Sequence, residues 1–221
     1  MFLLAETKKI LDEKIFCAMI MDYHIITIRY KMLNLLVMDL EATSTGQKEP
    51  CYRREIIEIG ALKCYVCANA WETGDSFDCF VKPQINPKLT KFIKDLTTIK
   101  QRDVSEAKTF PSVLDEFKKW IGKEVFILSS FGNYDFEQLQ ADCNLYKKLF
   151  PFSSQHINLK KVIQKKLGVE KSGGCGDIIK NLQIVPQQPE HRALNDVKNI
   201  IKICHKLQIT EEDLKNSVKW Y

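Results

Sequence analysis

Two carboxylates stand one residue apart at the end of an apolar run, Leu35-Leu-Val-Met-Asp39-Leu-Glu41-Ala-Thr43. If that run is a strand, alternate side chains share a face and Asp39 and Glu41 point the same way. Like charges on one face at the end of a buried strand repel each other. They are tolerable if solvated, if one is protonated, or if a cation sits between them. Hard divalent cations such as Mg²⁺ choose carboxylate oxygens in this arrangement. A strand running out into a polar turn has the same spelling, so the pair alone does not decide. Two later stretches carry further candidates. In Ser129-Ser-Phe-Gly-Asn-Tyr134-Asp135, a buried strand runs into a glycine turn and Asp135 falls in the first turn of a helix. The helix dipole favours an acid there whatever its role. In His191-Arg-Ala-Leu-Asn-Asp196, Pro189 breaks the chain just upstream and Asp196 opens a helix. Singly, such residues read as a solvated acid and a surface or packing histidine.

The elements that must position these residues follow from periodicity. The first strand begins at Leu33, and a polar loop from Ser44 to Arg54 follows it. A strand over Glu55–Val66, a turn at Ala68-Asn-Ala70 and a returning strand over Ser76–Val81 make a hairpin. This hairpin is expected to extend the first strand into an antiparallel start. Asn86-Pro87 reads as a helix start, with Asn86 as cap and Pro87 in the first turn. Phe110, Val113, Leu114, Phe117, Trp120 and Ile121 fall at helical spacing, closed by Gly122. A strand over Glu124–Ser130, a helix over Tyr134–Cys143, a short strand over Ile157–Leu159 and a helix over Lys160–Leu167 follow. The glycine-rich Ser172–Gly176 is a turn without the Gly-Lys-Ser/Thr of a phosphate loop. Helices over Asp177–Leu182 and Ala193–Leu207 precede a tail helix opened by Thr210. The order predicts an α/β fold, a mixed sheet with helices on both faces.

The 221 residues, 45% hydrophobic, suit one α/β domain with a short extension. No stretch reaches the roughly 20 apolar residues that span a bilayer, so no membrane partner is expected. A net charge of +5 is compatible with nucleic acid and equally with solvated lysines. Eight scattered cysteines in a chain of this size point to a reducing compartment. Cys64-Tyr-Val-Cys67 has zinc-like spacing but no second pair to match it. The N-terminus lacks the basic-then-apolar order of a secretory signal, so a cytoplasmic protein is expected. Residues 1–31 form an N-terminal segment of uncertain reading, and Met32, directly before the first strand, is an alternative start.

Taken together and in order, Asp-x-Glu, Tyr-Asp and His-x4-Asp resemble the DEDDh exonuclease family, the DnaQ-like branch of the RNase H-like fold. Ile56-Ile-Glu-Ile-Gly-Ala-Leu is similar to that family's second strand. Phe80-Val-Lys-Pro-Gln-Ile-Asn-Pro-Lys-Leu-Thr, Thr109-Phe-Pro-Ser-Val-Leu and Ser130-Phe-Gly-Asn-Tyr-Asp look like its Eri-like and KapD-like subgroup. The resemblance implies an exonuclease domain over 32–208, with a five-stranded mixed sheet flanked by helices on both faces and a tail helix over 209–221. It implies hydrolysis at the 3′ end of single-stranded nucleic acid, RNA favoured over DNA, releasing nucleoside 5′-monophosphates. Two Mg²⁺ ions, with Mn²⁺ able to substitute, would sit about 4 Å apart. Asp39 would bridge them, Glu41 and Asp196 would complete one metal, and Asp135 would hold the other. His191 would act as general base, a role that most often falls to histidine. Ala42 and Thr43 would meet the terminal 3′-hydroxyl, and Tyr134 and Phe92 would stack on a base. Two departures stand out: Thr98 occupies a position where the family usually has glycine, and Ser44 one where the subgroup often has cysteine. A binding module that kept the fold without the chemistry is the competing reading, and an interaction protein using the N-terminal segment and the Trp220-Tyr221 tail is a third.

Overall fold

A computed structural model of the chain describes residues 32–47 and 51–221, so the uncertain N-terminal segment lies outside the described residues. Its centre is β1 (Leu33–Ala42), in which Leu35, Leu36, Val37 and Met38 are fully buried. A run buried on both faces belongs in the middle of a sheet, and β1 sits there. The strand order is β3-β2-β1-β4-β5-β6, with β2 at Ile56–Cys67, β3 at Ala70–Phe80, β4 at Ile127–Ser130, β5 at Gln155–Asn158 and β6 at Val218–Trp220. β1 and β4 run parallel with Leu36 beside Leu128, and β4 and β5 run parallel with Ser129 beside Ile157. β2–β3 and β5–β6 are antiparallel, which makes the sheet mixed.

The helices are α1 (Lys91–Thr97), α2 (Gln101–Ser105), α3 (Phe110–Ile121), α4 (Tyr134–Leu145), α5 (Leu159–Leu167), α6 (Cys175–Asn181), α7 (Ala193–Lys206) and α8 (Glu211–Lys215). α3 buries Phe110, Val113, Leu114, Phe117 and Ile121 of its sequence stripe, while Trp120 is half-buried, and Phe117 meets Phe77 of β3 with ring centroids 5.0 Å apart. α7 lies on β2 and buries Val197, Ile200, Ile201 and Cys204. None of the helices among the described residues is long and apolar enough to cross a membrane.

The sheet has six strands rather than five. The tail is helical only over Glu211–Lys215, and Val218–Trp220 pairs with β5. Three residues are too few to show a period, and it is the open edge of β5 that makes them a strand. The Tyr221 N–H donates to the Ser154 carbonyl at 2.9 Å, and its ring lies on Phe136. Asn86-Pro87 does not start a helix. The Asn86 N–H donates to a Glu55 carboxylate oxygen and its amide to the Arg53 carbonyl, both at 2.7 Å, so its capping groups are engaged in the loop. Thr90 caps α1 instead, its hydroxyl accepting from the Ile93 N–H. β3 begins at Ala70, earlier than its alternation suggested, because β2 pairs with it from the turn onward. Thr98 ends α1 at φ +61°, the left-handed geometry in which a β-branched residue is strained and glycine is not.

Candidate active site

β1 ends beside the start of α4, and a backbone-to-side-chain hydrogen bond joins the two elements. The Leu40 N–H donates to Asp135 Oδ1 at 3.1 Å, which ties the first turn of α4 to the strand between Asp39 and Glu41. Asp135 is 4% exposed. Beside this junction a cleft of about 800 Å³ is lined by Asp39, Glu41, Asp135, His191 and Asp196. Further wall comes from the Gly174–Lys180 stretch, so the glycine turn read only as a connection shapes the cleft. One ligand atom each of Glu41, His191 and Asp196 lies within 4.8 Å of the other two. No other group of three or more such residues among the described residues is close enough to hold an ion, and Cys64 and Cys67 form no metal site there.

His191 and Asp196 reach the cleft through a device the sequence reading missed. Glu58, flanked by Ile57 and Ile59 in β2, is 1% exposed. Its carboxylate accepts from Arg192 Nε at 2.9 Å, from Arg192 Nη2 at 2.7 Å and from the Ala193 N–H at 3.0 Å. A buried carboxylate with a forked guanidinium and a helix N–H is well satisfied, and it pins the head of α7 to the sheet. Two residues along the same strand face, Gly60 makes the approach feasible. A Cβ there would stand 2.2 Å from the Leu194 nitrogen and 2.3 Å from the Ala193 carbonyl carbon. His191, exposed and just before this anchored turn, has φ +55°, a sparsely populated conformation for a residue other than glycine. The Asp196 N–H donates to the Arg192 carbonyl at 2.9 Å, so Asp196 inherits the placement of that turn. The one signal in the sequence was an acid in a strand whose neighbours are all apolar.

Burial and crowding push these carboxyls up. Asp39 lies well above the usual carboxylate range, first by burial and then by the charges of Asp135, Glu41 and Asp196. Glu41 is pushed up to about 9 by burial and by Asp196 and Glu58. Asp196 rises to about 6 by burial, with His191 acting in the opposite direction. Burial also raises Asp135, against the Leu40 N–H that favours its charged form. Four carboxyls with so little compensating positive charge fit a divalent cation, which would supply the missing charge.

A second, smaller pocket of about 410 Å³ adjoins the first and shares Leu40, Glu41 and Tyr134 with it. Ala42, Phe92 and Tyr134 line it, with Leu96, Ser44 and Arg54. Phe92 and Tyr134 are 44% and 39% exposed, unusually open for aromatic residues. Arg54, which the sequence reading passed over, places its guanidinium 5.6 Å from the centre of the Tyr134 ring. Thr43 does not line either pocket. It is 2% exposed, and its hydroxyl accepts the Glu55 N–H at 3.0 Å, bracing the loop after β1.

A family model described as Exonuclease (RNase_T) matches residues 36–204. ERI1 exoribonuclease 3 of Homo sapiens is 30% identical over 181 residues, covering 78% of this chain and 52% of that protein. The probable 3′-5′ exonuclease KapD of Bacillus subtilis is 25% identical over 182 residues, covering 81% of this chain and 85% of that protein. The chain spans about half the length of the ERI1-type relatives it matches. Among solved structures, the nuclease domain of 3′hExo, a DEDDh family member bound to rAMP, aligns with a TM-score of 0.72 at 27% identity. That alignment covers 80% of this chain and 92% of that one. The chain belongs to the DEDDh exonuclease family, with Eri- and KapD-like relatives.

Proposed function

We propose that this protein is a divalent-metal-dependent 3′–5′ exonuclease that removes nucleoside 5′-monophosphates from the 3′ end of single-stranded RNA. The observation that carries this reading is the convergence of Asp39, Glu41, Asp135, Asp196 and His191 on one cleft, with a half-exposed aromatic pocket against it. RNA is favoured over single-stranded DNA because relatives at 30% identity are named exoribonucleases and the 3′hExo nuclease domain was solved with rAMP.

The roles are those the family resemblance implies, and the side-chain positions support them. Asp39, Glu41, Asp135 and Asp196 would hold two Mg²⁺ or Mn²⁺ ions, and their raised affinity for protons is the mark of a site built for countercharge. When bound, such ions neutralise the phosphodiester and the charge that develops on its attacking and leaving oxygens. His191 is exposed at the cleft rim beside Glu41 and Asp196, where it takes a proton from the attacking water. The water oxygen bonds to phosphorus and the bond to the preceding 3′-oxygen breaks. The leaving 3′-oxygen takes a proton from solvent, so the shortened strand departs with a 3′-hydroxyl, and the released nucleotide keeps the phosphate on its 5′ carbon. Tyr134 and Phe92 offer ring faces to the terminal base, and Ala42 contributes the floor beside Glu41.

The test is a degradation time course on 5′-labelled RNA and DNA strands of equal sequence, in Mg²⁺, Mn²⁺ or EDTA, with Asp39→Ala alongside. A metal-dependent ladder shortening from the 3′ end, faster on RNA and absent in the variant, is expected. Binding without cleavage in either metal would favour a module that has lost its chemistry, and faster cleavage of DNA would overturn the RNA preference.

A further inference from the structure

The terminal-nucleotide pocket and the main cleft meet at Glu41 and Tyr134. On the proposed reading, a last nucleotide in the aromatic pocket leaves its 5′ phosphate at the acids. The rest of the strand must then continue through the larger cleft. That cleft is lined by carboxylates that repel a polyanion, so a strand held there needs cations and ring faces beyond the acids. The described residues supply both at one place.

Phe131 follows directly on buried Ser130 and lines the cleft, half-buried. Phe110, Phe117, Phe136, Phe150 and Phe152 each pack against another aromatic ring, and Phe131 packs against none among the described residues. Its neighbour is a cation: Lys160 Nζ stands 5.5 Å from its ring centre. The loop carrying Phe131 is fixed to the start of α5, which carries Lys160, by Asn158 Nδ2 donating to Asn133 Oδ1 at 2.7 Å. Lys180 of α6 lies on the wall of the same cleft. Neither Lys160 nor Lys180 forms an ion pair with a described residue. An aromatic ring outside the core, a lysine held on it and a second unpaired lysine on the wall make a preorganised place for a base and its phosphates.

We propose that Phe131, Lys160 and Lys180 form a subsite for the nucleotides upstream of the scissile bond, gripping single strands longer than the terminal nucleotide. Phe131 stacks on an upstream base, and the two lysines contact the phosphates that flank it. This rests on the exonuclease reading above, and it adds a length dependence that the acids and the terminal pocket do not produce.

The test compares Phe131→Ala, Lys160→Gln and Lys180→Gln with the unaltered protein on two substrates. The p-nitrophenyl ester of a nucleoside 5′-monophosphate fills only the terminal site, whereas a ten-nucleotide RNA reaches upstream. Expected is an unchanged kcat and KM for the ester. For the ten-mer, KM should rise about 5- to 150-fold in Phe131→Ala, the range that losing one base stack produces. Anisotropy of the labelled ten-mer in EDTA reads binding without hydrolysis. Each lysine variant should lower the slope of log affinity against log salt by about 0.7. If the ten-mer binds Phe131→Ala and both lysine variants as tightly as the unaltered protein, at every salt concentration, the subsite does not exist. If no protein cleaves either substrate while Phe131→Ala still weakens ten-mer binding, the subsite stands and the exonuclease reading falls. Should Phe131→Ala fail to fold, the salt slopes of the two lysine variants decide.

Discussion

Gly60→Ala is the smallest change that tests how the site is assembled. The added Cβ would meet three atoms of α7, the Leu194 nitrogen at 2.2 Å, the Ala193 carbonyl carbon at 2.3 Å and the Leu194 Cα at 2.7 Å. All three are backbone, so no side chain can swing aside. Ordinary contact begins at 3.4 Å, and the helix must therefore retreat by about 1 Å from β2. The Ala193 N–H bond to Glu58, now 3.0 Å, lengthens with it, and Asp196, one turn on, moves away from Glu41. Overpacking of this kind costs about 1–3 kcal/mol, which in a domain of this size lowers Tm by roughly 2–12 °C. A displacement of about 1 Å at the reacting groups costs on the order of 100-fold in kcat. The assay is kcat on end-labelled RNA at saturating Mn²⁺, with a melting curve on the same sample. Gly74→Ala is the control, since its Cβ would meet mainly the Tyr65 side chain at 3.1 Å. Its kcat should be unchanged. A Gly60→Ala protein with normal kcat and normal Tm would refute the claim that the closeness of β2 and α7 sets the site.

Four further outcomes are expected. His191→Ala lowers kcat by about 10²- to 10⁴-fold, the usual contribution of a positioned base, while isothermal titration still detects Mn²⁺ binding. Asp39→Asn abolishes cleavage yet gives a metal-free Tm no lower than the parent, because a crowded buried acid has been removed. The metal-free protein loses stability as pH rises. Folded Glu41 and Asp196 bind protons more tightly than in the unfolded chain, with values of about 9 and about 6 against 4.5 and 3.8. The protection is therefore complete below about pH 4 and disappears towards pH 9, and saturating Mg²⁺ should flatten that slope in thermal melts. Thr98→Gly relieves a β-branched residue at φ +61° and raises Tm by a few degrees, for a gain of about 1 kcal/mol; a lower Tm would mean the helix end tolerates threonine without strain.

Legibility followed sequence distance. Asp39 and Glu41 could be placed on one face because two residues of a strand settle the matter, Asp135 because it follows the Gly132 turn into a helix, and Asp196 because it opens a helix with clear periodicity. That all of them meet was carried by family resemblance, since no local pattern brings β1 beside α7. Glu58 shows the limit most plainly. Its partner Arg192 is 134 positions away, and nothing near either residue announces the other. β6 was hidden for a related reason, its three residues becoming a strand only against β5. Asn86 misled because its amide and N–H serve the loop at Arg53 and Glu55, a competition that helix-start preferences do not see. Thr43 was expected to face substrate from its place after Glu41, but one further residue turns its hydroxyl inward onto Glu55.

The grip of Glu58 on the head of α7 also makes the cleft a product of global cooperativity. Closing so long a loop costs entropy before any contact returns it, so Asp39 and Asp196 are expected to come together only when the whole domain folds. Enzymatic activity in urea should therefore vanish in the same transition as the tertiary circular dichroism signal, and not ahead of it. By mass action, a cation seated among those acids would protect the whole domain against proteolysis, including segments far from the cleft, since it binds only the completed fold.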